Sequence, residues 1–440
     1  MEILQSLPVS TIVVILSIIL FAVLTYKGMG LIPVSLICAF LVSFVCYEGV
    51  IDGFFSLFAE ESTSFMKQII FVFFSAGALG ELMTASGASA SIGTTLVHKL
   101  GKGKATMIIA VLTIILNLAG MPTVPFIVAP VIFSVFKEAN LPRHIGLVVM
   151  FGTMQPMLVC LPGVAATCNV LPTSYLGTDI LAAPLMGSIC FVFALIMVAV
   201  YAWFLTYDAR RRGLCYDGPE PRTANTSGAP LPGFFKSIMC VVIVVVLALG
   251  LTMTGWIENS FTAVIIAQII ACVYVILFFR KNTNENFSKV VEKGIMSNAG
   301  FVVGIGLVVG YASVVTNTAA YDAMLGWLTG LNIHPYALTV IACALICGIC
   351  VNGYGGMGIF LAMLGGNIMA MPSVSADAVH RLTTMTSTTF DSLPHASSVL
   401  INLQCMRMSL KEGYKYCFMT TIVFTVCYTL LGLAIALIAY

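Results

Sequence analysis

Charge is what this chain has least of. Only 9% of its 440 residues are Asp, Glu, Lys or Arg, whereas a water-soluble domain carries roughly a quarter. So little polar surface cannot wet a globule of this size, which excludes a soluble fold and makes lipid the main solvent. An excess of one sign is missing too: the net charge is +2, which argues against a nucleic-acid partner. No cleavable export signal is read at the start. Residues 9–26 are too long for a signal-peptide core and have no small-residue cleavage pattern behind them, so they are expected to form the first span. Metal-binding spacing is nearly absent. Cys343, Cys347 and Cys350 come closest, but the nearest histidine, His334, lies in the preceding loop amid apolar residues, so neither a metal nor a cofactor is expected. The fourteen cysteines lie mostly in apolar stretches and read as small hydrophobes.

What the chain does have is a long series of apolar stretches, each near the roughly 20 residues that a span requires. Among them are residues 29–47, 66–82, 106–136, 144–161, 180–205, 335–351, 355–371, 378–403 and 416–437. Several are short or rich in Gly and Pro, so about ten to twelve full crossings are expected, with the remainder re-entrant. The fold class is therefore an all-α polytopic membrane protein. Its single long polar stretch, residues 207–233, carries Arg210, Arg211, Arg212 and four prolines and reads as a linker between a first membrane repeat, 1–206, and a second, 234–440. Its arginines, with Lys99, Lys102, Lys104, Arg280, Lys281, Arg407, Lys411 and Lys415, are expected in the cytoplasm by the positive-inside rule.

The two halves echo each other in order. The segment from Phe73, FFSAGALGELMTASGASASIGTTL, matches VGIGLVVGYASVVTNTAAYDAML from Val303; AGMPTVPFI matches ICVNGYGGM; LPG at 161–163 matches LPH at 393–395. Paired, interrupted apolar segments in two halves point to a transporter whose broken helices free backbone groups for an ion and a substrate. Kinked helices packing through small residues are the structural alternative.

Polar groups inside spans are functional candidates. Thr316, Asn317 and Thr318 form a polar run read as a hairpin tip, with Ser86 in its first-half counterpart; Ser89 and Ser91 there read as structural. Thr123 and Asn352 stand at the two Gly/Pro breaks. The richest cluster is TTMTSTTFDSLPHASSV, with Ser387, Thr388, Thr389, Asp391, Ser392 and His395. If helical, Asp391 and His395 share a face one turn apart, and Pro394 breaks the helix between them. Asp391, Ser392 and Thr389 suit a coupling cation, H+ or Na+. The others suit a substrate carboxylate and its hydroxyl, with the imidazole of His395 able to meet the carboxylate. The first-half counterpart lacks both charges but keeps Thr153, Gln155 and Asn169. Arg381, the cation near these clusters, is expected at the interface.

The segments ALGELMTASGASASIGTTLVHKLGKGKA, AGMPTVPFIVAPVIFSVF and STTFDSLPHASSVLINLQ followed by RMSLKEGYKY resemble the gluconate permease (GntP) family of the ion transporter superfamily, over nearly the whole chain. The Asp-Ser-Leu-Pro-His stretch is most similar to the hydroxybutyrate-permease branch. The resemblance implies an inverted-repeat fold with two re-entrant hairpins and broken transmembrane helices. It also implies a homodimer in the bacterial inner membrane and cation-coupled symport, H+ first, of a small hydroxylated monocarboxylate such as 3-hydroxybutyrate. The first break, MPTVPF, lacks the His-rich and Asp-bearing pattern associated with gluconate carriers, which argues for a smaller, more apolar acid. A dicarboxylate, citrate or gluconate carrier is the alternative within transport. A membrane-embedded enzyme using Asp391, Ser392 and His395 is the remote one, and no enzyme activity is expected.

Overall fold

The computed structural model describes residues 7–440 except 28, 48, 118–123, 165, 221–229, 255, 258–259, 284, 330–332, 351–352, 373 and 395. Every regular element among the described residues is helical. The first half comprises α1 (Leu7–Tyr26), α2 (Leu31–Cys46), α3 (Ala59–Ala85), α4 (Ala88–Leu100), α5 (Ala105–Asn117) and α6 (Val124–Ala139). It continues through α7 (Arg143–Val159), α8 (Thr167–Leu176) and α9 (Pro184–Arg211). The second half begins with α10 (Phe234–Met253), α11 (Ser260–Phe278), α12 (Phe287–Thr316), α13 (Ala319–Thr329), α14 (Pro335–Cys350) and α15 (Gly353–Phe360). It ends with α16 (Ala376–Ser387), α17 (Ser397–Cys405), α18 (Leu410–Cys417) and α19 (Phe424–Ala439). Helix α9 runs a few residues past the expected start of the linker.

Among the described residues three helical runs are long and apolar enough to cross a bilayer alone: α9, α12 and the continuous Leu410–Ala439. Counting two bent pairs as single spans, Ile51–Lys67 with Ile69–Ala85 and Ala88–Leu100 with Lys102–Asn117, raises this to five. Five shorter apolar helices of 10–17 residues accompany them. The apolar side chains that face outward, such as Val192, Ile196 and Val200 on α9, are what a lipid-facing surface requires.

Helices α3 and α12 form the antiparallel spine. Their backbones meet where Gly77 faces Gly294, a separation too close for a Cβ on either, and Asn298 Nδ2 donates to Phe73 O at 2.7 Å. Gly306 packs on Met66 and Gly310 on Ser62, which keeps the register for the length of the pair. Such small-residue contacts are how helices associate when lipid supplies no hydrophobic drive.

One end of the molecule gathers the basic residues. Lys137 pairs with Glu220, Arg143 N–H donates to Asp217 at 2.7 Å, and Lys99 lies over the Phe234 ring. Helix α18 starts at this basic end with a capping box between Ser409 and Glu412. Its continuation α19 ends opposite, where the Tyr336 hydroxyl donates to Tyr440 O at 3.3 Å.

Four expected spans prove to be something else. Residues 106–136 divide into α5 and α6, which pack on each other and have their outer ends, Lys104 and Lys137, at the basic end. At 13 and 16 residues each reaches only about 20–24 Å, short of the roughly 30 Å hydrocarbon core, so the pair is a re-entrant hairpin. Its mirror is α14 with α15, which enters from the far end beside Tyr440. Residues 378–403 are likewise not one span: the helix stops at Ser387 and resumes at Ser397. Helices α7 and α8 are broken in the same way between Val159 and Thr167. Hairpin followed by broken helix thus occurs twice, with opposite entry ends.

Candidate functional site

The two broken helices meet, and their breaks differ in chemistry. In the first, side chains take up several of the carbonyls that the break frees. Asn169 Nδ2 donates to Val164 O at 3.0 Å and Leu161 O at 3.4 Å, and Gly163 N donates to Ile180 O at 3.1 Å. Val159 O accepts from Thr384 Oγ1 at 3.0 Å and from Arg381 Nη1 at 3.2 Å.

Arg381 corrects the expectation of an interfacial position: its relative exposure is 0%. The guanidinium donates further to Asn169 Oδ1 at 2.7 Å, Ile180 O at 3.1 Å, and Ala182 O from both Nε and Nη2 at 3.1 and 3.0 Å. All five N–H bonds of the fork are engaged by neutral oxygens of the first half. It is a clamp holding α16 to the break of α7, and it has no donor left for a ligand.

The second break is different. Residues 388–394 are non-helical, so Asp391 does not stand on the helix expected there; His395, its expected partner one turn on, lies outside the described residues. Asp391 is half-buried, accepts from Ser392 Oγ at 2.9 Å, and among the described residues pairs with no cationic group. The start of α15 comes up against it. A Cβ on Gly353 would lie 2.8 Å from Ser387 O and 2.9 Å from Asp391 Oδ2, so only glycine lets this helix end, with its partial positive charge, approach the carboxylate so closely.

Gln155, carried by α7, crosses into this break. Its Nε2 donates to Thr388 O at 3.1 Å and to Ser392 Oγ at 3.5 Å, while Oε1 has no donor although the residue is only 5% exposed. Thr386 Oγ1 and Thr389 Oγ1 are likewise buried without partners. Ser387 and Thr388 hydroxyls turn back to Thr384 O and Met385 O, at 2.8 and 3.4 Å. Behind Thr389 and Phe390 an apolar cavity of about 230 Å³ opens between α14 and α19, walled by Val340, Ala344, Val426 and Thr429. Of the two breaks, the second is the one with unpartnered side-chain atoms beside it among the described residues, and such atoms are costly unless something else partners them.

The other expected site residues are not brought here. Leu400 and Ile401 of α17 pack with Phe73, Val302 and Ile305, which sets the level of the break on the spine. Thr316 is eleven residues beyond Ile305, roughly 16 Å along α12, and Ser86 thirteen beyond Phe73, roughly 20 Å the opposite way along α3. Ser86 Oγ bonds back to Met83 O at 3.4 Å, and its turn is covered by Leu231 and Pro232 at Gly87. Asn317 is exposed and donates to Ser313 O at 2.9 Å, while Thr318 Oγ1 donates to Val315 O at 2.8 Å. These turns cap full-length helices instead of forming re-entrant tips. Thr123 and Asn352 lie outside the described residues, in the segments that join the arms of the two hairpins. Sequence reasoning missed the buried role of Arg381 and the approach of Gly353.

A sequence profile of the GntP family permeases matches residues 7–438, nearly the whole chain. The chain belongs to the GntP permease family. This permease is 25% identical over 453 aligned positions to YxjC, an uncharacterized transporter of Bacillus subtilis (strain 168), covering 94% of this chain and 96% of that one. Among solved structures it is similar to the YdaH transporter of Alcanivorax borkumensis, whose topology is described as unusual, at 15% identity and a TM-score of 0.41 over 98% of this chain and 97% of that one. By its family and its apolar helices the chain is a multi-pass membrane transporter, a permease by family.

Proposed function

We propose that this permease is a secondary active symporter that couples a cation, H+ first, to a small hydroxylated monocarboxylate such as 3-hydroxybutyrate. The observation that carries the reading is the lone carboxylate of Asp391 at a helix break, bonded to Ser392 and paired with no cation among the described residues. A membrane-embedded carboxylate with no fixed counter-charge is costly when ionised and is relieved by a proton or a cation. Its charge can therefore change during the cycle. Ser392 and Thr389 stand beside it as further oxygen ligands. Gln155 joins Ser387, Thr388 and His395 as candidates to receive the substrate's carboxylate and hydroxyl, and the apolar cavity behind Thr389 suits a short alkyl end. On the distances above, Ser86, Thr316, Asn317 and Thr318 leave the proposed binding set. Thr123 and Asn352 keep a proposed role through their hairpins. A second substrate carboxylate would need a free cationic donor, and Arg381 has none, which favours a monocarboxylate over a dicarboxylate or citrate.

The same reading takes 1–206 and 234–440 as related membrane repeats, the basic end as cytoplasmic, and the molecule as a homodimer of the bacterial inner membrane. The test is counterflow in proteoliposomes with labelled 3-hydroxybutyrate, lactate, gluconate and succinate, with and without a Na+ gradient and with an imposed pH gradient. Uptake of the hydroxy acids driven by the pH gradient alone is expected. Strong succinate exchange without monocarboxylate uptake overturns the substrate reading, and strict Na+ dependence overturns the proton.

A further inference from the structure

A second cavity, about 630 Å³, opens at the basic end and runs inward along one face of α6. Phe126, Ala129, Pro130, Phe133 and Ser134 recur along its wall at helical spacing, so it extends about 12 Å toward the start of α6, next to the hairpin's joining segment. Its mouth is charged. Lys293 Nζ lies 3.0 Å and Arg407 Nη2 3.9 Å from the carboxylate of Glu81. Glu81 is 18% exposed beneath them, whereas the two cations are 68% and 62% exposed. One carboxylate thus underlies two solvent-facing cations, a local excess of one positive charge. Glu220, also on the wall, is taken by Lys137.

One further observation points to a ligand. Ser89, on the same wall, is only 3% exposed and its Oγ has no partner. Arg407 has φ +52°, at the helix-ending position where glycine is preferred and a side chain costs about 1 kcal/mol or more. The turn is held by Met408 N to Leu403 O and Arg407 N to Gln404 O, both 2.9 Å, and by Arg143 Nη1 donating to Arg407 O. The turn thereby sets the Arg407 side chain on the cavity wall.

We propose that this vestibule is a second carboxylate-binding station, at which a small organic acid anion replaces Glu81 as the partner of Lys293 and Arg407 and takes a hydrogen bond from Ser89. It rests on the reading of the permease as an organic-anion carrier but is separate from Asp391. Gln404 is exposed on the wall and is the reporter position. In the purified protein carrying Gln404→Cys, modification of the introduced thiol by an anionic and by a cationic methanethiosulfonate reagent is followed by peptide mass. The sodium salt of 3-hydroxybutyrate is expected to slow the anionic reagent at least threefold, while uncharged 1,3-butanediol does not. Glu81→Gln is expected to raise the anionic-to-cationic rate ratio roughly tenfold, as removal of one nearby negative charge requires. Lys293→Gln with Arg407→Gln, both exposed side chains, is expected to abolish protection, and Asp391→Asn to retain it. Protection by the diol, protection that survives the double substitution, or an unchanged ratio in Glu81→Gln overturns the station. Protection without any counterflow overturns the carrier reading instead, and counterflow without protection overturns the vestibule alone.

Discussion

Replacing Arg381 by methionine asks what a buried, carbonyl-clamped arginine contributes. The side chain is similar in length, so packing changes little, but Val159 O, Asn169 Oδ1, Ile180 O and Ala182 O all lose donors. Stranding a buried acceptor costs about 1–3 kcal/mol, so four give roughly 4–12 kcal/mol. Against this stands relief from burying a cation without a counter-ion, worth several kcal/mol. Val159 O keeps Thr384 Oγ1 at 3.0 Å, which lowers the loss further. The net is a destabilisation of about 3–5 kcal/mol, the usual range for removing one partner of a buried charged network. At about 2–4 °C per kcal/mol, the apparent Tm in detergent should fall by roughly 6–20 °C, followed by intrinsic fluorescence and by monodispersity on size exclusion. Arg381→Lys, with three donors for five contacts, should fall between. Coupling between Arg381 and Asn169 in a double-mutant cycle should be about 1.5–3 kcal/mol, as for a charge-assisted bond of 2.7 Å. A methionine variant that melts with the wild type refutes the clamp.

Asp391→Asn should abolish gradient-driven accumulation and leave exchange running; accumulation at the wild-type level in proteoliposomes removes Asp391 as the coupling group. Gly353→Ala sets a methyl 2.8 Å from Ser387 O and 2.9 Å from Asp391 Oδ2, an overlap costing about 1–3 kcal/mol; transport kcat/KM should drop by roughly five- to a hundredfold, and an unchanged value would mean that the hairpin end does not press on the carboxylate. Gln155→Met loses two neutral hydrogen bonds, to Thr388 O and the longer one to Ser392 Oγ, but also an unpartnered acceptor, so its Tm should stay within a few degrees of wild type. Its KM should rise about tenfold if Oε1 meets the substrate hydroxyl, and an unaltered KM takes Gln155 out of the site.

Much of the architecture was legible because it follows from composition. A chain with so few charges and such long apolar runs has to be helical in lipid, and Gly- and Pro-rich interruptions marked where helices fail: Pro162 and Gly163 in one break, Pro394 in the other, Gly353 at a hairpin. Less legible was the path of the chain through those points. Hydropathy reports how apolar a segment is and not whether it turns back, so residues 106–136 read as one span although α5 and α6 double back. The Thr-Asn-Thr run at 316–318 resembled a tip by composition, yet a 30-residue α12 carries it to the end of a crossing.

The sequence by itself determined the solvent, the helical class, the recurrence of interrupted segments and the chemical inequality of the two breaks, since these depend on which residues are present and in what order. Tertiary structure alone decided which polar groups share a site. The donors that silence the first break, Asn169 on α8 with Arg381 and Thr384 on α16, come from two separate helices, and the glycine that reaches Asp391 comes from a third. Hydrogen bonds of about 3 Å between residues more than 200 positions apart depend on helix register and packing, which a linear pattern of polar and apolar residues leaves open.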